Sequence, residues 1–344
     1  MRILLVGNFA PPYEDENLHN ISILKRLKEE GNECSVINIS EHPSKEKEFV
    51  NAKSYIDFVL KVIRHAWGKD VVHFFTKGYT RLGLLQLMTS IFVGRIFRAR
   101  AIVSLHSEFF SVIGQMRSKV GGQQTVYLSF SFAHKIIFGD KDTYDVASRY
   151  KRKHNFELIP LFISRDKELK ENEAPVLRKL KDKKRIILFS NVQYPSLLFD
   201  ILSSLLSHTH ANDIGIVISV SETPSAKLQH LLEESGHDIS GNMVFVAYDD
   251  MKLLSKAYGM SDLIVRPMSC DGEIFFQDFA VYVRRVERSE DYVYFLSSLV
   301  FVKEGETADL CACIISDILS KESDDPHKLQ SEDFYSKVRK MYEA

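Results

Sequence analysis

Apolar and polar positions follow two patterns in the first forty residues of the chain. "RILLVG", at positions 2–7, is an almost continuous apolar run, which is typical of a parallel strand covered on both faces. In the next segment, "LHNISILKRLKEEG", leucine and isoleucine recur at helical spacing from Leu18 to Leu27, and Gly31 marks the helix end. A second apolar run, "ECSVINI", then completes a strand–helix–strand unit of the right-handed, Rossmann-like kind.

The same alternation continues to Ile163 and restarts after a charged segment. The pattern predicts strands at "DVVHFF", "RAIVSLH", "AHKIIFGD" and "NFELIPLFI", and helices at "YIDFVLKVIRHAWG", "RLGLLQLMTSIFVGRIF" and "DTYDVASRY". Residues 165–184 are almost uniformly charged, which predicts a linker with a solvated helix. Strands then return at "IILFSN", "IGIVISV", "MVFVAY" and "DLIVRP", with helical segments between them.

This order predicts an α/β fold of two tandem Rossmann-like domains with parallel sheets. The first domain covers residues 1–164 and is completed by a C-terminal helix at 330–344. The second covers residues 185–329. A length of 344 residues also exceeds what one hydrophobic core usually organises.

Composition and charge exclude several classes of protein. The formal net charge is -1, so no overall field favours nucleic acid. The four cysteines lack the spacing of a zinc site, and buried reduced thiols fit a cytoplasmic protein. "MRILLVGNF" is too short for a signal peptide, and no apolar stretch has spanning length.

One apolar and basic segment, "LQLMTSIFVGRIFRARA", has two interpretations. It is a helix that covers the sheet, or it lies on a membrane surface where lipid-linked molecules reside. The second interpretation would place the protein peripherally at the inner membrane face.

The order of several short motifs resembles the GT-B glycosyltransferases, and specifically the retaining GT4 family. "ILLVGNFAPPYEDENLHNISILKRLKEEGNECSVINI" resembles the start of that family, with a proline-containing loop between strand and helix. "DVVHFF", "AIVSLHS", "HKIIFGDKDTYD" and "ELIPLFIS" resemble its later strands, and "AYGMSDLIVRPMSCDGE" resembles its "A-D-x-x-x-x-P-S-x-x-E-G" motif. The resemblance covers nearly the whole chain.

This resemblance implies transfer of a sugar from a nucleotide sugar, UDP- or GDP-linked, to a glycan or lipid-linked acceptor. It also implies a role in bacterial surface polysaccharide assembly. The donor would bind at the carboxyl ends of the second domain's strands, and the acceptor on the first domain. We expect no metal and no cofactor, provided that protein groups stabilise the leaving diphosphate.

The resemblance also nominates site residues. His106, after "AIVSL", and Asp271, in the turn after "DLIVRP", are the catalytic candidates. Gly272 lets the backbone approach a ligand, whereas Asp271 is equally suited to capping its own turn. The remaining donor-side candidates are Asn191, Gln193, Arg266 and Glu273, and the acceptor-side candidates are Asn8, Tyr13, His73 and Glu108. His73 has a second interpretation as a side chain inside a strand, and Arg266 has one as a partner in a structural ion pair.

Other positions depart from the family pattern and keep a second interpretation open. Glu14, Asp15 and Glu16 stand where the family has paired glycines, and they would repel a phosphate. The arginine and lysine that clamp the diphosphate have no counterpart at residues 190–192 or 197–198, and Phe279 replaces the second glutamate. The sequence supplies Arg284, Arg285 and Arg288 nearby, as a phosphate site, a partner patch or a solvated helix face.

The alternative is therefore a catalytically silent GT-B module that binds glycan or partners an active transferase. A sugar-phosphate enzyme of the same architecture, such as a phosphorylase or an epimerase, is a third and weaker option.

Overall fold

The computed structural model describes most of the chain. The described residues are 1–11, 13–40, 42–44, 47–76, 81–105, 122–139, 141–150, 155–164, 175–190, 195–208, 213–220, 230, 242–269, 278–288, 292–303, 315 and 334–343. Two compact units emerge: Met1–Phe162 together with Glu332–Ala344 form unit 1, and Ile163–Ser331 form unit 2.

Unit 1 contains a seven-stranded sheet in the order β3-β2-β1-β4-β5-β6-β7. All of its neighbouring strands run parallel. The strands are β1 (Arg2–Gly7), β2 (Glu33–Asn38), β3 (Phe49–Asn51), β4 (Val71–Thr76), β5 (Arg100–Leu105), β6 (Lys135–Phe138) and β7 (Phe156–Leu158). The helices of this unit are α1 (Asp15–Glu29), α2 (Tyr55–Ala66), α3 (Arg81–Ile96), α4 (Gly122–Phe132), α5 (Lys141–Tyr150) and the C-terminal helix (Phe334–Glu343).

The two faces of this sheet carry different helices, because side chains alternate along each strand. Val72 and Phe74 of β4 belong to one core cluster with buried side chains of α2, α3 and α4. His73 points to the other face, where it meets Tyr342 of the C-terminal helix. Tyr335 of that helix also donates a hydrogen bond to Glu30, at the end of α1.

Unit 2 contains a second seven-stranded sheet, in the order β11-β10-β9-β12-β13-β14-β8. Its strands are β8 (Leu161–Ser164), β9 (Arg185–Phe189), β10 (Ile214–Val220), β11 (Met243–Ala247), β12 (Leu263–Ser269), β13 (Asp278–Arg288) and β14 (Tyr292–Lys303). A 3-10 helix, Pro175–Leu180, precedes β9, and the longer helices are α6 (Pro195–His208) and α7 (Met251–Met260). The C-terminal helix of unit 1 is α8.

The strands from β9 to β12 are parallel, as expected for a Rossmann-like unit. A long antiparallel hairpin, β13 and β14, then extends this sheet beyond β12. Arg284, Arg285 and Arg288 lie on β13, so their interpretation as a helix face is wrong. The predicted strand "NFELIPLFI" is two strands, β7 and β8, which join different sheets.

Candidate functional site

In unit 1 the carboxyl ends of β1 and β2 each carry an asparagine. Asn8 follows β1 directly, and the loop from there to Glu14 leads into α1. In parallel α/β sheets this edge is where ligands bind. Asn8 and Tyr13 are both partly buried in this loop, and their acceptor-side role stays a prediction.

Asn38, the last residue of β2, holds the β1–α1 loop in place. Its Oδ1 accepts hydrogen bonds from the backbone N–H of Phe9 at 3.0 Å and from the hydroxyl of Ser40 at 2.8 Å. Its Nδ2 donates to Oδ1 of Asn51, on β3, at 2.9 Å. Only 1% of Asn38 is exposed, so the side chain replaces water as the partner of these groups.

Two asparagines of α1 fasten the same loop from the helix side. Asn17 Nδ2 donates to the carbonyl of Ala10 at 2.9 Å, and Asn20 Nδ2 donates to the carbonyl of Asn8 at 3.0 Å. Sequence analysis missed Asn17, Asn20 and Asn38. The available signal was a polar residue at the end of an apolar strand, and polar residues among the core-facing positions of "DENLHN".

The acidic residues of the loop lie at the amino end of α1, which begins at Asp15. A helix amino terminus carries partial positive charge and stabilises anions. Here Glu14 and Glu16 supply that negative charge from within the chain, and Glu16 is only 2% exposed. The arrangement favours a neutral ligand at this loop over a phosphate.

His73 lies inside unit 1, with no exposed surface. Its Nδ1 is hydrogen-bonded to the hydroxyl of Tyr342, and its Nε2 lies 2.8 Å from the hydroxyl of Ser104. Burial raises the pKa of the Tyr342 phenol well above its usual value, so the phenol stays protonated. As placed, His73 attaches α8 to the sheet and does not face solvent from which an acceptor would approach.

The two other candidates of this edge, His106 and Glu108, lie outside the described residues. β5 ends at Leu105, whose neighbours in register are Thr76 of β4 and Phe138 of β6. The carboxyl end of β5 is therefore on the same edge of the sheet as Asn8.

In unit 2 the structure brings the end of β9 next to Arg266. The backbone N–H of Ser190, which follows β9, donates to the carbonyl of Val265 at 2.9 Å. Arg266 is the next residue of β12 and lies within that strand, opposite Tyr282 of β13. Asn191, Gln193, Asp271, Gly272 and Glu273 lie outside the described residues.

The described residues show no group of three or more histidine, cysteine or carboxylate side chains that would hold a metal ion. Among the same residues, no helix has the length and apolar character needed to cross a membrane. Cys34 is a partly buried free thiol, and burial raises its pKa to about 11. It is therefore no candidate nucleophile.

Comparison with known proteins identifies the fold. No family model matches the chain, and no curated protein sequence matches it. Anabaena HepE, solved in complex with UDP and glucose and with UDP-glucose, is similar with a TM-score of 0.51 and 14% identity, over 77% of this chain and 73% of that one. Sucrose-phosphate synthase from Thermosynechococcus elongatus is similar with a TM-score of 0.50 and 13% identity, over 76% and 74%.

These neighbours have the GT-B fold, and the predicted fold class is confirmed. At such low identity the likeness concerns the fold alone.

Proposed function

We propose that the protein is a glycosyltransferase that moves a sugar from a nucleotide-sugar donor to a glycan or lipid-linked acceptor. The observation that supports this most is the GT-B fold shared with a protein solved with UDP-glucose. The carboxyl edge of β9 and β12, where the N–H of Ser190 bonds the carbonyl of Val265, is the proposed donor side. The carboxyl edge of β1, β2 and β5 is the proposed acceptor side.

In this proposal Arg266, Asn191 and Gln193 contact the nucleotide diphosphate, and Gly272 and Glu273 line the same edge. His106 and Asp271 act at the reacting sugar. The reaction retains the anomeric configuration, needs no metal or cofactor, and serves bacterial surface polysaccharide assembly.

A silent GT-B module that binds glycan is the second candidate, and the amino end of α1 favours it. The carboxylates of Glu14 and Glu16 lie where a phosphate-binding loop would need backbone amides and small residues. Such a module would bind a neutral glycan at the asparagine-rich loop and leave a nucleotide sugar unbound.

Calorimetric unfolding with UDP-glucose, UDP-N-acetylglucosamine, GDP-mannose and a CMP-sugar separates the two candidates. A ligand at a hundred times its dissociation constant stabilises the folded state by about 2.7 kcal/mol. The enzyme proposal expects one donor to raise the unfolding temperature and to release nucleotide when acceptor extract is added. If no donor binds at millimolar concentration, the enzyme proposal is wrong.

Asp271→Asn tests the proposed catalytic edge, with Asp182→Asn as the matched control. Asp182 is exposed and precedes β9, so it lies towards the opposite edge of the second sheet. We expect Asp271→Asn to reduce nucleotide release at least tenfold while the control leaves it unchanged. Equal activity of the two variants would remove Asp271 from the mechanism.

A further inference from the structure

Three neighbouring helices cover one face of the unit 1 sheet. The α2 helix packs Phe58, Val62 and Ala66 into the core, and α3 and α4 contribute to the same cluster. Contacts between the helices place α3 in the middle. Tyr55 of α2 is hydrogen-bonded to Thr89 of α3 at 2.8 Å, and the rings of Phe92 (α3) and Phe132 (α4) lie 5.1 Å apart.

The outer side of this layer is also apolar, which is unusual for helices on a protein surface. Ile56 is 74% exposed, Ile96 is 72% exposed, and Trp67, directly after α2, is 75% exposed. The outward apolar side chains of the three helices are Ile56, Leu60, Ile63, Trp67, Leu82, Leu85, Phe92, Ile96, Tyr127, Leu128 and Phe132. We call these residues the apolar face. A patch of such extent on adjoining helices marks an interaction surface.

The charged residues on and beside this face are almost all basic. Arg64, Arg95 and Arg98 are exposed at or just beyond the helix ends. Asp57 is the only acidic residue in the three helices, and it pairs with Lys61 at 2.6 Å. Over residues 71–139 the chain has eight lysines and arginines and a single acidic residue, Glu108, although the whole chain has a net charge of -1.

Basic and aromatic side chains meet at the end of the face where α2 and α3 finish. The rings of Trp67 and Phe97 lie 5.2 Å apart in an edge-on contact. Beside them is a cavity of about 600 Å³, whose charged lining is Arg2, Lys69, Asp70, Arg98, Arg100 and Glu343. Arg2 pairs with Asp70, Lys69 pairs with Glu33, and Arg100 donates to the carbonyl of Tyr342. Arg98 is therefore the cation best placed to meet an external anion.

We propose that the apolar face docks the protein on a bilayer that contains anionic lipid. Apolar helix surface with tryptophan and arginine at its edge matches the boundary between acyl chains and phosphate headgroups. Basic residues near such a surface are attracted to anionic lipids. This docking does not depend on the proposed enzymatic function, because it needs no donor or acceptor.

The charge pattern argues against a second copy of the chain as the occupant. A two-fold interface pairs the same patch with itself. It would bring the copies of Arg64, Arg95 and Arg98 into one interface, with no free carboxylate of the three helices to neutralise them. An anionic lipid surface supplies the missing negative charge.

The single tryptophan of the chain reports directly on this surface. We expect phosphatidylcholine vesicles containing phosphatidylglycerol to move the emission of Trp67 to shorter wavelength and to co-sediment the protein. Pure phosphatidylcholine vesicles should bind much more weakly, and added salt should weaken the anionic binding.

Two variants divide the surface into its charged and apolar parts. Arg64→Glu/Arg98→Glu should weaken binding to anionic vesicles by roughly thirtyfold or more, since each lost arginine accounts for about fivefold and the new glutamates add repulsion. Leu60→Ser/Ile96→Ser should reduce binding and the change in Trp67 emission. The four positions are exposed, so circular dichroism should show unchanged folding.

Lys25→Glu/Lys340→Glu is the matched control. It makes the same change in charge on α1 and α8, which pack on the other face of the sheet, and both lysines are exposed. Binding by this control equal to wild type supports docking through the apolar face.

Three results would overturn the proposal. The first is no binding to anionic vesicles, and the second is equal weakening by the control and by the arginine variant. The third is a dimer in sedimentation analysis that dissociates in Leu60→Ser/Ile96→Ser, because the occupant would then be a second copy. If the protein binds anionic vesicles but no nucleotide-sugar donor, the docking proposal stands and only the proposed enzymatic function is wrong.

Discussion

Replacing Asn38 by alanine should destabilise unit 1 far more than an ordinary surface substitution. The side chain is 1% exposed and connects three segments: the β1–α1 loop through Phe9, the turn after β2 through Ser40, and β3 through Asn51. Alanine removes all of these partners at once. The asparagine also fixes the loop that carries Asn8 and Tyr13.

The size of the effect depends on which groups find a new partner. The N–H of Phe9 is buried with its hydrogen bond, and leaving such a group without a partner costs about 1–3 kcal/mol. Oδ1 of Asn51 still accepts from the N–H of Ser44 at 2.8 Å, so it loses one bond of about 1 kcal/mol. Ser40 is partly exposed, and water can replace its lost bond. We expect a loss of about 2–4 kcal/mol in the free energy of unfolding.

Differential scanning calorimetry of the full chain measures this, with the transition of unit 1 followed separately where the units unfold in two steps. A loss of this size lowers the midpoint of a unit of this length by roughly 5–15 °C. Asn32→Ala is the control, because Asn32 is partly exposed and its side chain bonds two groups that are not both buried, the carbonyl of Leu27 and the exposed N-terminal ammonium of Met1. If Asn38→Ala lowers the free energy of unfolding no more than Asn32→Ala does, Asn38 does not organise the β1–α1 loop.

Three further substitutions test other parts of unit 1. Arg98 has φ 60° just after α3, where the N–H of Ala99 donates to the carbonyl of Gly94. Glycine adopts this backbone conformation without strain, so Arg98→Gly should raise the free energy of unfolding in urea by about 0.5–1 kcal/mol. A lower free energy of unfolding would show that the arginine side chain compensates for the strain. Gly7→Ala should lower the free energy of unfolding by about 2 kcal/mol, because the new Cβ would lie 2.9 Å from Cβ of Phe75. Gly94→Ala is the control: the nearest atom to its new Cβ is 3.4 Å away, so the free energy of unfolding should stay the same or rise. Burial, with added repulsion from Arg95 and Arg100, lowers the pKa of His134, so the unfolded chain binds the proton more readily than the folded chain. The free energy of unfolding should therefore fall as the pH drops below about 6.5 towards the pKa in the folded state. In urea titrations at about pH 7.5 and about pH 5.5, His134→Gln should show a smaller difference between the two pH values than wild type. An unchanged pH dependence in His134→Gln would contradict that assignment.

Hydrophobic periodicity predicted the long elements because their burial is one-sided or complete. The run "RILLVG" is buried at every position of β1 after Arg2, and α2 has its apolar positions at helical spacing. The sequence did not predict β3, because a strand of three residues is too short to show a hydrophobic period. Helix α4, "GQQTVYLSFSF", was not predicted either, because it lacks charged residues that would mark its polar face.

The strand β13 shows a second reason why sequence patterns fail. The local sequence "VYVRRVER" contains arginines at positions that fit a helix face as well as a strand. Its structure is set by register with the twelve residues of β14, which begins only four residues after β13 ends. Pairing with a neighbouring strand therefore overrides local propensity here.

The edges of the two sheets follow from the sequence, whereas the roles of the candidate site residues stay predictions. Strand ends located Asn8, Tyr13 and the carboxyl end of β5 on one edge, since the carboxyl ends of parallel strands converge. The same rule did not separate His73 from them, because its place in the middle of β4 depends on a partner, Tyr342, 269 residues away. The catalytic assignment of His106 and Asp271 remains a prediction.

The distribution of charge in unit 1 connects the two proposals. Carboxylates of the chain itself already supply the negative charge at the amino end of α1, so a ligand at this loop meets a negative environment and gains most by being neutral. Free positive charge lies instead at the ends of α2 and α3, where Arg64 and Arg98 are exposed. These two regions lie at opposite edges of the sheet, because Arg64 and Arg98 precede β4 and β5 whereas the asparagine-rich loop follows β1. The charge distribution therefore assigns the two proposals to different edges of unit 1, and a substitution that abolishes vesicle binding at one edge should leave binding of a neutral ligand at the other edge intact.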